Sequence, residues 1–147
     1  MAGSFALDIS KFVEKAKGNA RVVAKKIVLD VGNRIIEKTP VGDPTTWKHP
    51  PPAGYVGGRA RGSWAYGFNA TPQPADMVDE SGKVSMTRIR AGVASNDGIG
   101  AHFITNGLPY IRRLEYDGWS RQAPAGMVRV TIQEYQQVID AAVRGLP

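Results

Sequence analysis

The fold is decided first by residues 8–37, which read DISKFVEKAKGNARVVAKKIVLDVGNRIIE. Placed about 100° apart as on a helix, the apolar side chains fall within one arc of about 120°, and most charged ones lie outside it. Asp8 suits the N-cap position, and Pro40 disfavours helix at the residue before it. We therefore predict one long amphipathic helix. Its apolar arc consists of Ile9, Phe12, Val13, Ala16, Ala20, Val23, Ala24, Ile27 and Val31.

A second, thinner apolar line on the same helix lies opposite the main arc. It consists of Val22, Leu29 and Ile36, which are spaced seven residues apart. Either these are chance apolar residues on a solvated face, or they mark a second contact, with the rest of the fold or with a neighbouring subunit. The sequence leaves these alternatives open.

A segment rich in proline and glycine follows the helix. Residues 40–62, PVGDPTTWKHPPPAGYVGGRARG, contain five prolines and five glycines. This composition opposes regular structure and predicts a long extended loop, and such loops inside compact domains are commonly functional. Trp47 and Tyr55 in this loop are costly to leave in water. Either they fold back on their own domain, or they anchor a partner.

Antiparallel strands are predicted within residues 63–106. SWAYGFN at 63–69 places its aromatic side chains on one face of a strand, and GAHFITNG at 100–107 alternates in the same way. NDG at 96–98 is typical of a tight turn between strands. Residues 70–83 are rich in Pro, Asp and Glu and predict an exposed, mobile connection.

A further strand is predicted from SMTRIRAGVAS, residues 85–95, in which apolar and polar side chains alternate. Its polar face carries Arg88 and Arg90, which become candidates for facing a DNA channel or plain solvent. The sheet would then contain three or four strands. The apolar face of this strand carries Ile89, Ala91 and Val93.

The C-terminal third predicts helices. PYIRRLEY opens a short helix over 109–117, because proline is tolerated in a first helical turn. Residues 126–144 place their apolar side chains on one side of a helix, although 126–132 also alternate like a strand. We favour the helix. The predicted fold is a single α+β domain, 1–147, with the N- and C-terminal helices packed on the antiparallel sheet.

Composition narrows the classes of function. The 147 residues include no cysteine, which excludes disulfide scaffolds and thiolate metal sites and suits synthesis in a reducing cytoplasm. The net charge is +6, spread along the chain rather than concentrated in one run. Such spread favours a solvated surface over a dense nucleic-acid footprint, but a basic nucleic-acid-binding module remains the alternative. No apolar stretch is long enough to form a membrane-spanning helix, so we predict no membrane partner.

The sequence contains no convincing catalytic or cofactor pattern. Its two histidines have no metal-ligand spacing, and no phosphate-binding loop or nucleophile elbow occurs. Asp76, Asp79 and Glu80 resemble a carboxylate cluster, but a solvated surface stretch is the ordinary explanation. Glu115 is interpreted as a helix-end carboxylate beside Arg112 and Arg113. We therefore expect a non-enzymatic protein that has no metal or cofactor.

An interaction role is indicated by the aromatic and arginine side chains outside the predicted strands. Trp, Tyr and Arg are the residue types enriched at interface hot spots. The candidates for contact with partners or other subunits are Trp47, Tyr55, Arg59, Arg61, Tyr110, Arg112, Arg113, Tyr116 and Trp119.

Two long stretches together resemble a known family. They are KTPVGDPTTWKHPPPAGYVGGRARGSW, 38–64, and FITNGLPYIRRLEYDGWSRQAPAGMVRVTIQEY, 103–135. In order and spacing they resemble the neck or tail-completion proteins of tailed bacteriophages, also called head–tail joining or minor tail proteins. The family pattern is a long helix ending in TPV, a GxxRxSW-like start of a strand, and an ITNxxPYAxxLEYG segment before a C-terminal helix. The matching positions are 39–41, 58–64, 104–106 and 109–116.

Two departures concern the loops: the 42–57 insertion is longer than in many relatives, and Asp117 lengthens the turn before Gly118. The resemblance implies a non-enzymatic ring subunit, commonly a hexamer, at the head–tail junction of the virion. Its partners would be other copies of itself, the head connector or adaptor, and the tail-terminator or tail-tube proteins, with DNA passing nearby. During assembly it would reside in the host cytoplasm.

Overall fold

The computed structural model describes residues 2–144 and 146, with the side chains of 17–144 and 146. The protein is α+β, with helices arranged around a small antiparallel sheet. In chain order the elements are α1 (Ala2–Lys38), a 3-10 helix (Pro44–Thr46), α2 (Arg59–Gly62), β1 (Trp64–Phe68), α3 (Lys83–Ala94), β2 (His102–Asn106), α4 (Ile111–Tyr116), α5 (Val128–Gln133) and α6 (Tyr135–Arg144).

The sheet has two strands within the described residues, not the three or four predicted. β1 and β2 confirm the strands predicted at 63–69 and 100–107. They pair with Trp64 opposite Asn106 and Phe68 opposite His102. α3 packs on β1, whereas α6 packs mainly on α1. The C-terminal helix therefore does not cover the sheet as predicted, because α3 covers β1.

The strand predicted over 85–95 is wrong, because these residues belong to α3. Alternation would bury Ala91, yet Ala91 is exposed. The buried side chains instead follow helical spacing, and Asp79 Oδ2 accepts a hydrogen bond from Val84 N at 2.8 Å in the first turn. NDG at 96–98 accordingly connects a helix to a strand. The buried residues of α3 are Ser85, Met86, Ile89 and Val93.

The long helix is confirmed, but it begins at Ala2, so the prediction of Asp8 as its N-cap is wrong. Its most buried face lies between the two predicted apolar lines. Ile27 and Val31 of the main arc are only half-buried, and its members from Ile9 to Ala16 lie outside the described side chains. Of the second line, Ile36 is buried and Leu29 packs against the core, whereas Val22 is exposed. Only the C-terminal part of this line therefore contacts the rest of the fold. The shift arises because α1 packs on both α3 and α6. The most buried members of α1 are Val28, Gly32, Ile35 and Ile36.

The C-terminal segment is helical, and it is divided at Glu134 into α5 and α6. The Glu134 carboxylate accepts hydrogen bonds from Lys38 and Arg34 of α1, each at 2.9 Å. These bonds hold the pKa of Glu134 below its usual range. The ion pairs fasten the break between the two short helices to α1. No helix within the described residues is long and apolar enough to cross a membrane.

A buried hydrogen bond joins the end of α1 to β1. Thr39 is fully buried, and its hydroxyl donates to the Ile35 carbonyl at 2.7 Å. The same oxygen accepts the indole N–H of Trp64 at 3.0 Å. Trp64 is itself 3% exposed, so no water is available to replace Thr39 as the acceptor.

We expect Thr39→Val to lower the free energy of unfolding by about 1–3 kcal/mol, because it leaves the Trp64 indole N–H buried without an acceptor. Thr87→Val is the matched control, since Thr87 is exposed on α3 and the change again replaces a hydroxyl by a methyl group. Urea denaturation followed by tryptophan fluorescence measures both. Equal effects of the two substitutions would contradict the role given to Thr39.

Candidate interaction surface

Arg61 fixes the end of α1 from inside the chain. Its Nε donates to the Thr39 carbonyl at 2.9 Å, and its two terminal nitrogens donate to the carbonyls of Glu37 at 3.2 Å and Glu80 at 3.0 Å. The last carbonyls of a helix lack partners within the helix, and a cation is favoured beside them. Arg61, predicted as an interface residue, is therefore occupied by contacts within its own chain.

Arg88 is also engaged within the fold. Its guanidinium donates to the carbonyl of Trp64 and, at 3.4 Å, to that of Gly62. The prediction placed Arg88 and Arg90 together on one face of a strand, but on α3 they lie on different sides of the helix. Arg90 is exposed beside a cavity of about 370 Å³ between α1 and α3. Of the two channel candidates, only Arg90 presents its side chain to solvent.

Two more side chains complete the junction of α2, β1 and α3. The Ser85 hydroxyl donates to the Arg61 carbonyl at 2.7 Å and accepts from Trp64 N at 3.2 Å. The Asn106 amide, at the end of β2, donates to the Ala60 carbonyl at 2.9 Å. The short helix α2 is thus held on both sides by side chains from distant elements.

Glu115 begins α5. It is 7% exposed and accepts hydrogen bonds from the backbone N–H groups of Met127, Val128 and Arg129 at 2.8–3.0 Å. Burial alone would raise the pKa of Glu115, but these donors and the Arg129 charge together lower it. Gly126 has a φ of +93°, and a Cβ there would lie 2.8 Å from Glu115 Oε1, so glycine is required. The interpretation of Glu115 as a carboxylate beside Arg112 and Arg113 is replaced by this capping role.

Arginine and aromatic side chains form an exposed surface around α4 and the start of α5. Arg112 and Arg129 lie over the Tyr116 ring, at 5.6 and 4.9 Å from its centroid, and Arg113 lies 5.1 Å from that of Trp119. Tyr116 is 57% exposed and Trp119 59%. We call these five residues the arginine–aromatic surface. Four were predicted as interface residues, and Arg129 was missed because it falls inside the apolar pattern of the C-terminal helix.

The remaining candidates lie apart from this surface. Trp47 and Tyr55 pack on each other, with ring centroids 4.9 Å apart, and both stay partly exposed. Arg59 forms a bidentate ion pair with Asp76 at 2.7 and 2.8 Å. Tyr110 packs against the core, and its burial raises its pKa. The structure thus brings four of the nine predicted contact residues together on this surface. The others lie outside it, although Trp47 and Tyr55 contact each other and the charge of Arg59 acts on the pKa of Tyr110.

Most of the acidic residues singled out from the sequence are engaged with other groups of the fold. No group of three or more His, Asp or Glu side chains among the described residues is arranged to hold a metal ion. Asp79 is occupied in capping α3, and Asp76 is paired with Arg59. Comparisons of the chain with protein-family models, with curated proteins and with solved structures found no match.

We expect Glu115→Gln to lower the free energy of unfolding by about 2 kcal/mol at neutral pH, because the charged acceptor of three N–H groups is lost. The folded pKa of Glu115 lies below its unfolded value of about 4.3. Its stabilisation is therefore present above that value and is lost as pH falls through the folded pKa. The difference between wild type and variant should shrink in acid.

Asp117→Asn serves as the control, since Asp117 is exposed and its carboxylate makes no hydrogen bond within the described residues. Chemical denaturation at a series of pH values gives both curves. A difference between wild type and Glu115→Gln that stayed constant into acid would show that the lost charge is not the cause.

Proposed function

We propose that this chain is a non-enzymatic structural subunit of the head–tail junction of a tailed phage, forming a ring around the DNA channel. One observation carries the proposal. Residues from the TPV, GxxRxSW and ITN elements of the family resemblance are joined by hydrogen bonds into one junction. In it, Thr39 meets both Trp64 and Arg61, and Asn106 binds the backbone of α2.

This connection gives the resemblance a physical basis. The TPV and GxxRxSW elements fit together because Arg61 needs the Thr39 carbonyl and Trp64 needs the Thr39 hydroxyl. Glu115, in the third element, is needed to begin α5. A chance match of short motifs has no reason to select residues that bind one another.

The arginine–aromatic surface supplies the contact that a ring subunit needs. It combines exposed Tyr116 and Trp119 with three arginines, the side-chain types that dominate interface hot spots. Two short helices and the turn between them position it, as expected for a binding surface on a rigid frame.

The rival hypothesis is a nucleic-acid-binding module. Its support in the sequence was Arg88 and Arg90 beside an aromatic strand, but Arg88 is engaged by backbone carbonyls. We therefore favour the virion subunit.

The proposal is tested on particles of the phage that encodes the chain. We expect quantitative mass spectrometry to find the chain in a copy number that matches a closed ring, commonly a hexamer. Gold-labelled antibody should bind at the head–tail junction in electron micrographs. Purified particles that lack the chain would rule out this function.

We further expect the double variant Arg112→Ala, Arg113→Ala to reduce incorporation into particles about tenfold or more, because hot-spot arginines are lost. Arg90→Ala is the control, since Arg90 is an exposed arginine outside the surface. For both variants, assembly is measured by complementing a phage that lacks the gene and counting particles. DNA retention is measured on the isolated protein. Normal assembly of the double variant together with loss of DNA binding by Arg90→Ala would favour the nucleic-acid-binding module.

A further inference from the structure

Residues 76–80, DMVDE, form an exposed acidic and apolar segment that we call the acidic strip. The strip contains no helix or strand, and Glu80 lies in a turn. Met77 is 47% exposed and Val78 48%, which places two apolar side chains side by side in solvent. These two residues form a small exposed apolar patch with Asp76 on one side and Asp79 and Glu80 on the other.

The strip is held rigidly, contrary to the mobile connection predicted for 70–83. The Ser63 hydroxyl accepts from Met77 N at 3.0 Å and donates to the Met77 carbonyl at 3.3 Å, and Asp79 N donates to the Gly58 carbonyl at 3.0 Å. A Cβ at Gly62 would lie 2.2 Å from the Met77 carbonyl oxygen, so the backbone packs directly on α2. A segment already ordered loses little conformational entropy on binding.

The arginine–aromatic surface has the complementary chemistry. Within the described residues, neither Arg112 nor Arg113 forms an ion pair with a carboxylate, and both are exposed. Their guanidinium groups lie beside the large apolar rings of Tyr116 and Trp119. Such a surface suits a segment that offers a carboxylate next to apolar side chains.

We propose that the acidic strip of one copy of this chain docks on the arginine–aromatic surface of the next copy. Met77 and Val78 pack on the exposed rings, and the Glu80 carboxylate meets the guanidinium of Arg113. Glu80 is the available carboxylate, because Asp76 is paired with Arg59 and Asp79 caps α3.

A second copy is favoured over other occupants because the chain itself carries the complementary segment. The two surfaces consist of different residues, so the contact is heterologous and can repeat around a closed ring. This inference rests on the proposed function, because it supplies the subunit contact of that ring.

A charge swap tests the contact. Native mass spectrometry and sedimentation velocity would be run at low and high salt on the wild type, Arg113→Glu, Glu80→Arg and the double variant. We expect wild type to form closed oligomers larger than a dimer that weaken in salt. Each single reversal should weaken association about tenfold or more, and the double variant should recover most of it.

Matched controls separate the contact from general effects of charge and surface change. Arg90→Glu makes the same charge change on α3, and it should associate like wild type. Val78→Ser should weaken association, whereas Ile99→Ser should not, because Ile99 is similarly exposed but lies outside the strip. Thermal melts followed by circular dichroism would show that each variant is folded.

Two kinds of result would overturn the docking. Wild type that stays monomeric, or a double variant as weak as the single ones, excludes pairing of the strip with the surface. A species that stops at a dimer excludes the repeating arrangement. The proposed function would still hold after these outcomes if the chain is found at the head–tail junction of particles. Absence of the chain from particles would instead rule out the proposed function.

Discussion

The end of α1 is the constraint on which the rest of the structure depends. A helix of 37 residues ends there. Its last carbonyls are bound by the Arg61 guanidinium, which also holds the carbonyl of Glu80. One side chain thus fixes α1, α2 and the acidic strip relative to one another. Because Thr39 is bonded to Trp64 at the same point, the sheet is positioned by the same junction.

The second half of the chain uses the opposite charge for the equivalent purpose. Glu115 accepts hydrogen bonds from the first N–H groups of α5, where an anion is favoured. Arg61 donates hydrogen bonds to the last carbonyls of α1, where a cation is favoured. Glu134 then ties the break between α5 and α6 back to α1 through Arg34 and Lys38. The charged groups at these helix ends are engaged inside the chain.

The proposed function depends on the charged groups that remain. Arg112 and Arg113 lie over aromatic rings instead of on carboxylates, and Glu80 is exposed at the edge of the acidic strip. Both surfaces are held on short, tightly bonded elements, so they are presented in fixed geometry. A ring subunit needs this combination of a rigid frame and complementary edges, since small errors in each contact would accumulate around the ring.

The sequence by itself determined the elements whose periodicity has one interpretation. These are α1 and both strands, which follow from the local spacing of apolar residues. Proline at a first helical turn indicated α4. In the C-terminal segment the helical pattern was favoured over the strand-like alternation of residues 126–132. Only the tertiary structure decided the segment containing Ile89 and Val93, because apolar residues four apart suit a helix and a strand alike. It also decided which arginines are available, since Arg61 and Arg88 are occupied by carbonyls more than twenty residues away in sequence. Local spacing contains no information about such distant partners. Burial against them determines that the segment with Ile89 and Val93 is helical and which arginines remain exposed.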